Sequence, residues 1–328
     1  MTSLPDFRNG QVVVHVSGGS GERLRFRNDN LVVEDKGGKI LLQRPCRRIF
    51  ALLAIGETSV TSVLAEKSGK FGFPIILLGR NMRPLGSFRN QADGNVLLRK
   101  AQYGISPERS LGIAKRLVGT KIRNQAALLG SARYVPESSR EAISALRSLD
   151  VEGAPDPDAL RGIEGTASRI FFGEHFRNLG WVRREPRKRP DPCNLLLDIG
   201  YSYLFNFVSA LLSLYGFDLY CGVFHTFFHR RMSLVCDIVE PFRCVVDRRV
   251  RKMHTLGQIS KGDFFRNGDR TELSRNACGK YARLFLGDIL ARKDDMFLFC
   301  RDYYRWFVRE RPFSEFPGFS AEAGRCTW

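Results

Sequence analysis

Apolar and polar positions follow two different periods along the chain, and the change between them lies near residue 90. Up to that point, short apolar runs are separated by Gly, Asn, Asp and Lys, which is the pattern of β-strands joined by turns. The runs are QVVVHV, NLVVED, KILLQ, IFALLAI and FPIILLG, and a short helix is expected among them near Thr61 to Lys67. We therefore predict a small β-rich N-terminal domain over residues 1–90.

Beyond Asn90, apolar residues recur every three or four positions, which is the spacing of helices. The segments with this spacing are 109–133, 137–149, 157–179, 194–215, 233–253, 271–292 and 294–309. Asp156 followed by Pro157 is a favourable helix start, because Asp caps free N–H groups and Pro lacks the first of them. The pattern predicts an α+β protein in which a larger all-α domain fills residues 91–328, with a loose tail at 311–328.

Residues 199–217 carry no formal charge and are long enough to span a membrane, with the basic run VRREPRKR before them and Asp218 after them. Polar residues nevertheless recur through this region every three or four positions: Asn194, Asp198, Ser202, Asn206, Ser209 and Ser213. A lipid-exposed span has no use for such a stripe, whereas a helix inside an all-α domain does. We expect a buried core helix and no membrane contact, with the membrane span as the alternative.

The charge balance is strongly basic, with 52 Lys and Arg against 34 Asp and Glu and a net charge of +18. Such an excess favours a polyanionic partner, nucleic acid before a membrane surface, although a basic protein without such a partner is the plain alternative. Two dense basic clusters are the candidate phosphate contacts: Arg183, Arg184, Arg187, Lys188 and Arg189 in the first, and Arg248, Arg249, Arg251 and Lys252 in the second.

The eight cysteines are scattered through apolar sequence without a C-x-x-C motif. This spacing argues against a zinc finger, and a disulfide framework is not expected in a chain of this size. The segment MTSLPDFRNG lacks the apolar core of a signal peptide. We therefore expect a cytoplasmic protein with reduced cysteines.

Candidate chemistry lies in FHTFFHRRMSLVCDIVEPFR, residues 224–243, where an apolar stretch contains His225, Asp237 and Glu240. Burying unpaired charge is costly, so these residues need a partner, a metal or a catalytic role. Asp237 and Glu240 are three apart and would share a helix face, and Glu164 stands at the margin of an earlier buried stripe. One imidazole with two or three carboxylates suits Mn²⁺ or Mg²⁺. Spacing alone leaves open that Glu164 is a solvated residue and His225 a packing residue.

Four separated motifs occur in an order that resembles the CRISPR-associated integrase of spacer acquisition, the adaptation endonuclease of CRISPR systems. They are GIEGTASRIFF, RPDPCNLLLDIGYSYL, GVFH and SLVCDIVEPFRCVVDRRV, and the β-rich start and AKRLVGTKIRNQAALL fit the same family. The resemblance implies a metal-dependent DNA integrase and endonuclease that joins 3′-OH ends of DNA fragments into the repeat array by transesterification.

The resemblance also implies roles for individual residues. Glu164, His225 and Glu240 would be the metal ligands and, with Asp237 behind them as a supporting acid, the catalytic set, while Asn194 and Tyr201 would support them. It further implies a homodimer joined through the N-terminal domains, with double-stranded DNA and a small ferredoxin-like protein as partners. Relatives usually have a polar turn where this chain has TFFHRRM, so any role of His229 and of the loop 226–232 stays open.

Two other functions remain compatible with the sequence. A metal-dependent DNA nuclease without strand transfer would use the same site but would need neither dimer nor partner. A non-catalytic DNA-binding scaffold would keep the basic charge and lose nothing when Glu164 is changed.

Overall fold

The computed structural model describes residues 4–17, 21–79, 84–88, 95–132, 134–225, 229 and 231–322. The chain divides into two compact units, one of Met1–Arg99 with Ser209–Phe217 and one of Lys100–Val208 with Asp218–Trp328. The predicted order, a β-rich N-terminal region followed by a larger helical region, is confirmed. The domain boundary at residue 90 stays a prediction.

The N-terminal region contains eight strands and three helices among its described residues. In chain order they are α1 Leu4–Asn9, β1 Gln11–Val16, β2 Arg23–Arg27, β3 Asn30–Glu34, β4 Ile40–Pro45, β5 Ile49–Ile55, β6 Ser59–Val60, α2 Ser62–Phe71, β7 Ile75–Leu78, β8 Pro84–Phe88 and α3 Val96–Tyr103. All five predicted apolar runs are strands. The predicted short helix is α2, which is capped by the Thr61 hydroxyl accepting from Leu64 N at 3.3 Å.

These strands form two four-stranded sheets, with the orders β1-β5-β7-β8 and β4-β3-β2-β6. In the first sheet β5 runs parallel to β1 and β7, and every residue of β5 is buried. Side chains of both sheets and of α2 share one core, to which Leu52, Leu31 and Leu64 belong. Burial of these apolar faces is what holds the small unit together.

The helical region contains eight helices and one hairpin among its described residues. They are α4 Pro107–Gly130, α5 Glu137–Arg147, α6 Pro157–His175, α7 Pro192–Ser213, α8 Ser233–Ile238, α9 Arg243–Thr255, β9 Phe264–Asn267, β10 Arg270–Leu273, α10 Cys278–Ala291 and α11 Lys293–Val308. The predicted cap of α6 is present, since Asp156 Oδ1 accepts from Asp158 N at 2.9 Å and Ala159 N at 2.8 Å.

Helix α7 covers the uncharged stretch, and within the described residues it is the one helix long and apolar enough to cross a membrane. Of its most apolar 18-residue window, 78% is buried inside the protein, in agreement with a core helix. The later part of its polar stripe is satisfied within the helix itself. Asn206 Nδ2 donates to Ser202 O at 2.7 Å, and Ser213 Oγ donates to Ser209 O at 2.8 Å.

Two predicted helices are wrong in part. The segment 233–253 is not one helix, because Pro241 lacks an N–H and separates α8 from α9 by a 3₁₀ turn at Glu240–Phe242. The segment 271–277 is not α-helical either, since β9 and β10 pair as an antiparallel hairpin closed by Gly268 and Asp269, and a short 3₁₀ turn follows at Arg275–Ala277. Gly followed by Asp is a favourable two-residue hairpin loop, so one two-stranded hairpin lies among the helices of this region.

The expectation of a loose tail is also wrong for the described part of 311–328. Trp306 Nε1 donates to Pro312 O at 2.9 Å, and the rings of Phe319 and Phe242 pack edge to face at 4.7 Å. Ala321 N donates to Asn124 Oδ1 at 2.9 Å. Aromatic burial therefore fixes the chain as far as this point, and residues 323–328 lie outside the described residues.

Candidate functional site

Two of the predicted ligands, Glu164 on α6 and Glu240 in the 3₁₀ turn, converge on one lysine of α4. Lys121 Nζ lies 2.6 Å from Glu164 Oε1 and 2.7 Å from Glu240 Oε2. We call Glu164 and Glu240 the acidic pair. On the other side, Arg243 Nη2 lies 2.8 Å from Glu240 Oε1. The site thus brings two carboxylates and two cations together from four different elements.

Helix α4 also fixes the turn that carries Glu240. Asn124, one helical turn after Lys121, donates through Nδ2 to Pro241 O at 2.9 Å. Because a proline within a helical stretch breaks the backbone ladder, its neighbours need such an outside partner. The break has a second effect, since Asp237 ends α8 while Glu240 begins the turn. The two acids, expected on one helix face, therefore meet different partners.

Charge compensation keeps Glu240 ionised despite burial. Burial opposes ionisation of Glu240, but Arg243 and Lys121 outweigh it and lower the Glu240 pKa to about 2. Burial likewise opposes charge on Lys121, and the two glutamates outweigh it and raise the Lys121 pKa. The Lys121 residue is only 7% exposed, and a lysine is rarely buried unless it is paired. The site is therefore charged at neutral pH.

Asp237 holds His225 and its loop rather than the acidic pair. Its Oδ1 accepts from His225 N at 3.0 Å and lies 2.6 Å from His225 Nδ1. Its Oδ2 accepts from Val223 N at 2.7 Å and Phe224 N at 3.1 Å. A carboxylate that binds one ring nitrogen of a histidine fixes the ring orientation and leaves Nε2 as the nitrogen for a ligand.

Gly222 is required for this arrangement. A Cβ at this position would lie 2.7 Å from Asp237 Oδ2 and 2.7 Å from Ser233 Cβ. No real side chain tolerates those contacts without moving the loop. Glycine here lets the backbone N–H groups of the following residues approach the carboxylate.

The donor set fits a hard divalent ion. Glu240 Oε2 is buried and makes no hydrogen bond of acceptable geometry, although Lys121 Nζ lies close to it. His225 is near enough to Glu240 to contribute to lowering its pKa. Carboxylate oxygens with one imidazole nitrogen suit Mg²⁺ or Mn²⁺. Among the residues that the structure describes, no three His, Cys, Asp or Glu side chains already form a metal-binding group, so only the acidic pair is assembled.

Tyr201 reaches the site through Arg243. The Arg243 guanidinium stacks on the Tyr201 ring at 4.6 Å from its centroid, and the Tyr201 hydroxyl donates to Asp247 Oδ1. Burial raises the pKa of Asp247 to about 7, against the effect of the Tyr201 bond and of Arg243. Tyr201 therefore supports the cation that holds Glu240 Oε1.

Asn194 lies apart from the carboxylates and organises the first basic cluster. It is fully buried, its Nδ2 donates to Arg183 O at 2.9 Å, and its Oδ1 accepts from Glu185 N at 2.8 Å. Asp198 pairs with Arg184 Nη2 at 2.5 Å and Arg189 Nε at 3.0 Å. Asn194 was expected to support the metal ligands, but these contacts hold the loop that carries the first basic cluster.

The same contacts sort the first basic cluster into two groups. Arg184 and Arg189 are committed to Asp198, whereas Arg183, Arg187 and Lys188 are exposed. Arg187 and Arg189 adopt left-handed backbone angles, with φ of 67° and 55°. Such angles cost energy in non-glycine residues and persist only where the surroundings impose them. The loop 183–190 thus presents three basic side chains from a fixed backbone.

The second basic cluster is sorted in the same way. Arg249 forms a two-bond pair with Asp288, and Arg251 donates to His175 O. Arg248 is exposed and donates to Ala321 O at 3.3 Å, and Lys252 is exposed. Arg248, Arg251 and Lys252 are exposed and are therefore the better-placed candidates for phosphate contacts.

His229 is exposed, and residues 226–228 and 230 lie outside the described residues. The role of His229 and of the loop 226–232 stays open.

Sequence reasoning missed Lys121, Arg243 and Asp247. The motif VGTKIRNQAALL does contain a signal, because Thr120, Lys121, Asn124 and Gln125 are polar residues that interrupt a buried helix and are each at most 7% exposed. Buried polar side chains require partners, and those of Lys121 and Asn124 lie far along the chain.

Comparison with known proteins finds similarity to CRISPR-associated proteins. The family model described as CRISPR associated protein Cas1 matches residues 16–286, which include the acidic pair, His225 and Asp237. A curated relative, CRISPR-associated endonuclease Cas1 1 of Thermodesulfovibrio yellowstonii, is 31% identical over 244 residues, covering 71% of this chain and 76% of the relative.

Two solved structures share the fold. A chain of a partial Cas6-RT-Cas1–Cas2 complex superposes with a TM-score of 0.68 at 23% identity, covering 95% of this chain and 99% of that one. A casposase bound to integration product superposes with a TM-score of 0.79 at 20% identity, covering 96% of both chains. At these identities the likeness establishes the fold.

Proposed function

The chain belongs to the family of CRISPR-associated protein Cas1, and from this membership we propose that it is a metal-dependent DNA integrase and endonuclease. Its reaction is the acquisition step of CRISPR defence, in which the 3′-OH ends of a DNA fragment are joined into the repeat array. Two relatives support this proposal: the curated relative is named as an endonuclease, and the similar casposase is bound to an integration product.

The observation that carries the proposal is the acidic pair. Glu164 and Glu240 are 76 positions apart in sequence, yet both lie within 2.7 Å of one cation. A buried carboxylate such as Glu240 is costly unless it binds cations, and its neighbouring cations lower its pKa to about 2. The arrangement is built to hold positive charge.

We assign Glu164, Glu240 and His225 as ligands of Mg²⁺ or Mn²⁺. When bound, the ion would supply Lewis acidity at the attacked phosphate and lower the pKa of the attacking hydroxyl. The chain's own residues do the rest. Asp237 orients His225, and Arg243, stacked on Tyr201, keeps Glu240 in place.

The reaction balances without an energy source. The oxygen of a DNA 3′-hydroxyl forms a new bond to phosphorus, and the bond from phosphorus to the leaving 3′ oxygen breaks. The proton of the attacking hydroxyl ends on the leaving oxygen or in solvent, and one phosphodiester replaces another. With water as the nucleophile, the same site nicks DNA, so one site accounts for both integrase and endonuclease activities.

DNA binding is assigned to the exposed members of the two basic clusters. Arg183, Arg187 and Lys188 project from a loop whose backbone is fixed by Asn194 and Asp198, so little ordering entropy is lost on binding. The net charge of +18 supplies the long-range attraction.

The proposed assembly is a homodimer that works with Cas2. Inserting both ends of a fragment requires two active sites, and we identify one in this chain. Edge strand β4 exposes Ile40 and Leu41 at 45% and 51%, and a second copy would cover such an edge. The presence of Cas2 in the similar Cas6-RT-Cas1–Cas2 complex supports Cas2 as the small partner. Its expected ferredoxin-like fold stays a prediction.

The test mixes the protein, with and without Cas2, with 3′-OH duplex fragments and a supercoiled plasmid that contains repeats, in Mn²⁺ or Mg²⁺. Joined products are the expected result, and Glu240→Gln is the matched inactive control. Nicked plasmid without joining would indicate a nuclease, and shifted but intact DNA would indicate a scaffold. Either outcome overturns the integrase assignment.

A further inference from the structure

A lysine between two proposed metal ligands is an unusual feature of this site. The Lys121 side chain is 8% exposed, and that of Glu240 is 2% exposed. Within the described part of the chain, the polar partners of the ammonium are the two members of the acidic pair. Lys121 therefore supplies one of the two positive charges that compensate the acidic pair.

The position of the ammonium coincides with the position that a bridging cation needs. Its nitrogen lies 2.6 Å and 2.7 Å from oxygens of the two glutamates. A small divalent ion binds carboxylate oxygens at about 2.0–2.1 Å. Two cations cannot share the same two oxygens at such distances, because their repulsion in a buried site is large. The ammonium and the divalent ion therefore exclude each other.

The two cations around Glu240 are held differently. Arg243 pairs with Oε1 and is stacked on the Tyr201 ring, so its planar head is fixed from two directions. Lys121 faces Oε2, an oxygen that makes no directed hydrogen bond. A lysine also carries its charge on a flexible four-carbon stem, unlike the rigid fork of arginine. Lys121 is the cation that can leave.

We propose that Lys121 is a resident counter-ion that occupies the divalent position in the metal-free protein and must move away from the acidic pair for metal to bind. Together with Arg243 it compensates the buried Glu240 and the partly exposed Glu164 until metal arrives, and it lowers the apparent metal affinity by competition. This inference rests on the proposed metal dependence of the site.

The experiment compares Mn²⁺ binding to the wild type, Lys121→Met and Lys115→Met, by isothermal titration and by the rise in melting temperature that Mn²⁺ produces. Methionine keeps the four-atom stem of the lysine side chain without its ammonium group. Lys115 lies on the same helix α4, and its ammonium donates to Glu152 O at 2.6 Å, away from the acidic pair. It is therefore a matched control for the loss of one lysine from α4.

Lys121→Met is expected to bind Mn²⁺ at least about tenfold more tightly than the wild type, with a larger rise in melting temperature, while Lys115→Met is unchanged. A tenfold gain corresponds to an ammonium that occupies the acidic pair in about nine of ten wild-type molecules. Unchanged or weaker binding by Lys121→Met overturns the inference. If neither the wild type nor the variants bind Mn²⁺, the proposed metal site fails and takes this inference with it.

A second measurement uses wild-type protein and so does not depend on the folding of a variant. Lysine acetylation by a chemical reagent is compared with and without saturating Mn²⁺ and read by mass spectrometry. Displacement from the acidic pair should raise the acetylation of Lys121 by at least about threefold, with Lys115 as the internal reference. Equal acetylation of Lys121 in both conditions overturns the inference even where Mn²⁺ binds.

Discussion

Asp237→Asn is the substitution whose effect the structure defines most closely. Asp237 is 1% exposed and accepts from three backbone N–H groups, while its Oδ1 also contacts His225 Nδ1. An asparagine offers one oxygen and one NH₂ group in place of two oxygens. Whichever way the amide turns, at least one buried backbone donor then faces another donor.

The less harmful orientation places the amide nitrogen at the Oδ1 position. The His225 N–H then loses its acceptor, which costs about 1–3 kcal/mol for a buried unsatisfied donor. The two bonds to Val223 and Phe224 remain but lose the charge of their acceptor, at about 1 kcal/mol each. We expect a total of about 3–5 kcal/mol, or a melting temperature lower by about 6–20 °C for a domain of this size.

The assay is thermal and urea unfolding of the variant and the wild type at pH 7, with His225→Ala as the control. His225→Ala removes the ring contact and keeps all three backbone bonds to Asp237, so it should cost about 1–2 kcal/mol. If Asp237→Asn costs no more than His225→Ala, the backbone bonds are not what Asp237 contributes, and the reasoning is wrong.

Four further predictions follow from the site and its surroundings. Glu164→Gln and Glu240→Gln should each abolish strand transfer but keep DNA affinity within about twofold in a binding titration, because affinity rests on the distributed basic surface. The affinity itself should fall with salt, with a log–log slope of roughly −5 if about 6 phosphates are neutralised; a flat response refutes the assignment of the basic surface. Burial raises the Asp247 pKa from 3.8 to about 7, so the folded protein retains a proton that the unfolded chain releases, and stability should fall as pH rises across this range. Asp247→Asn should flatten that decline in urea unfolding. Sedimentation at micromolar concentration should find a dimer, and a strict monomer that still integrates both ends defeats the proposed assembly.

Helices and strands whose ends are set by neighbouring residues could be predicted from the sequence. Helix α6 begins where Asp156 and Pro157 place it, and the strands follow the apolar runs between turn residues. The errors also have local causes that periodicity alone overlooks. Pro241 interrupts a helix, and Gly268 with Asp269 closes a hairpin, even though the apolar spacing around both is compatible with helix.

The candidate site was predictable only in its acids and its histidine. Lys121 lies 43 residues before Glu164 and 119 before Glu240, and no local pattern states which buried lysine will meet which carboxylate. Asn194 shows a different error, in which a sequence motif suggests a place in the site that the contacts do not give it. Its motif pointed to the site, yet its hydrogen bonds go to the basic loop, because the start of α7 lies beside residues 183–191.

Charge balance connects the fold of this site to its proposed chemistry. The acidic pair is compensated by Lys121 and Arg243, and the four charges cancel, which allows burial in a helical core without an unpaired charge. If a divalent ion is added while both cations stay nearby, its whole charge is left uncompensated. That surplus faces a phosphodiester whose negative charge grows during attack, which is where electrostatic stabilisation accelerates a reaction most. If Lys121 left the acidic pair but stayed near it, it would compensate the glutamates in the metal-free protein. In the metal-bound protein it would add positive charge beside the reacting phosphate.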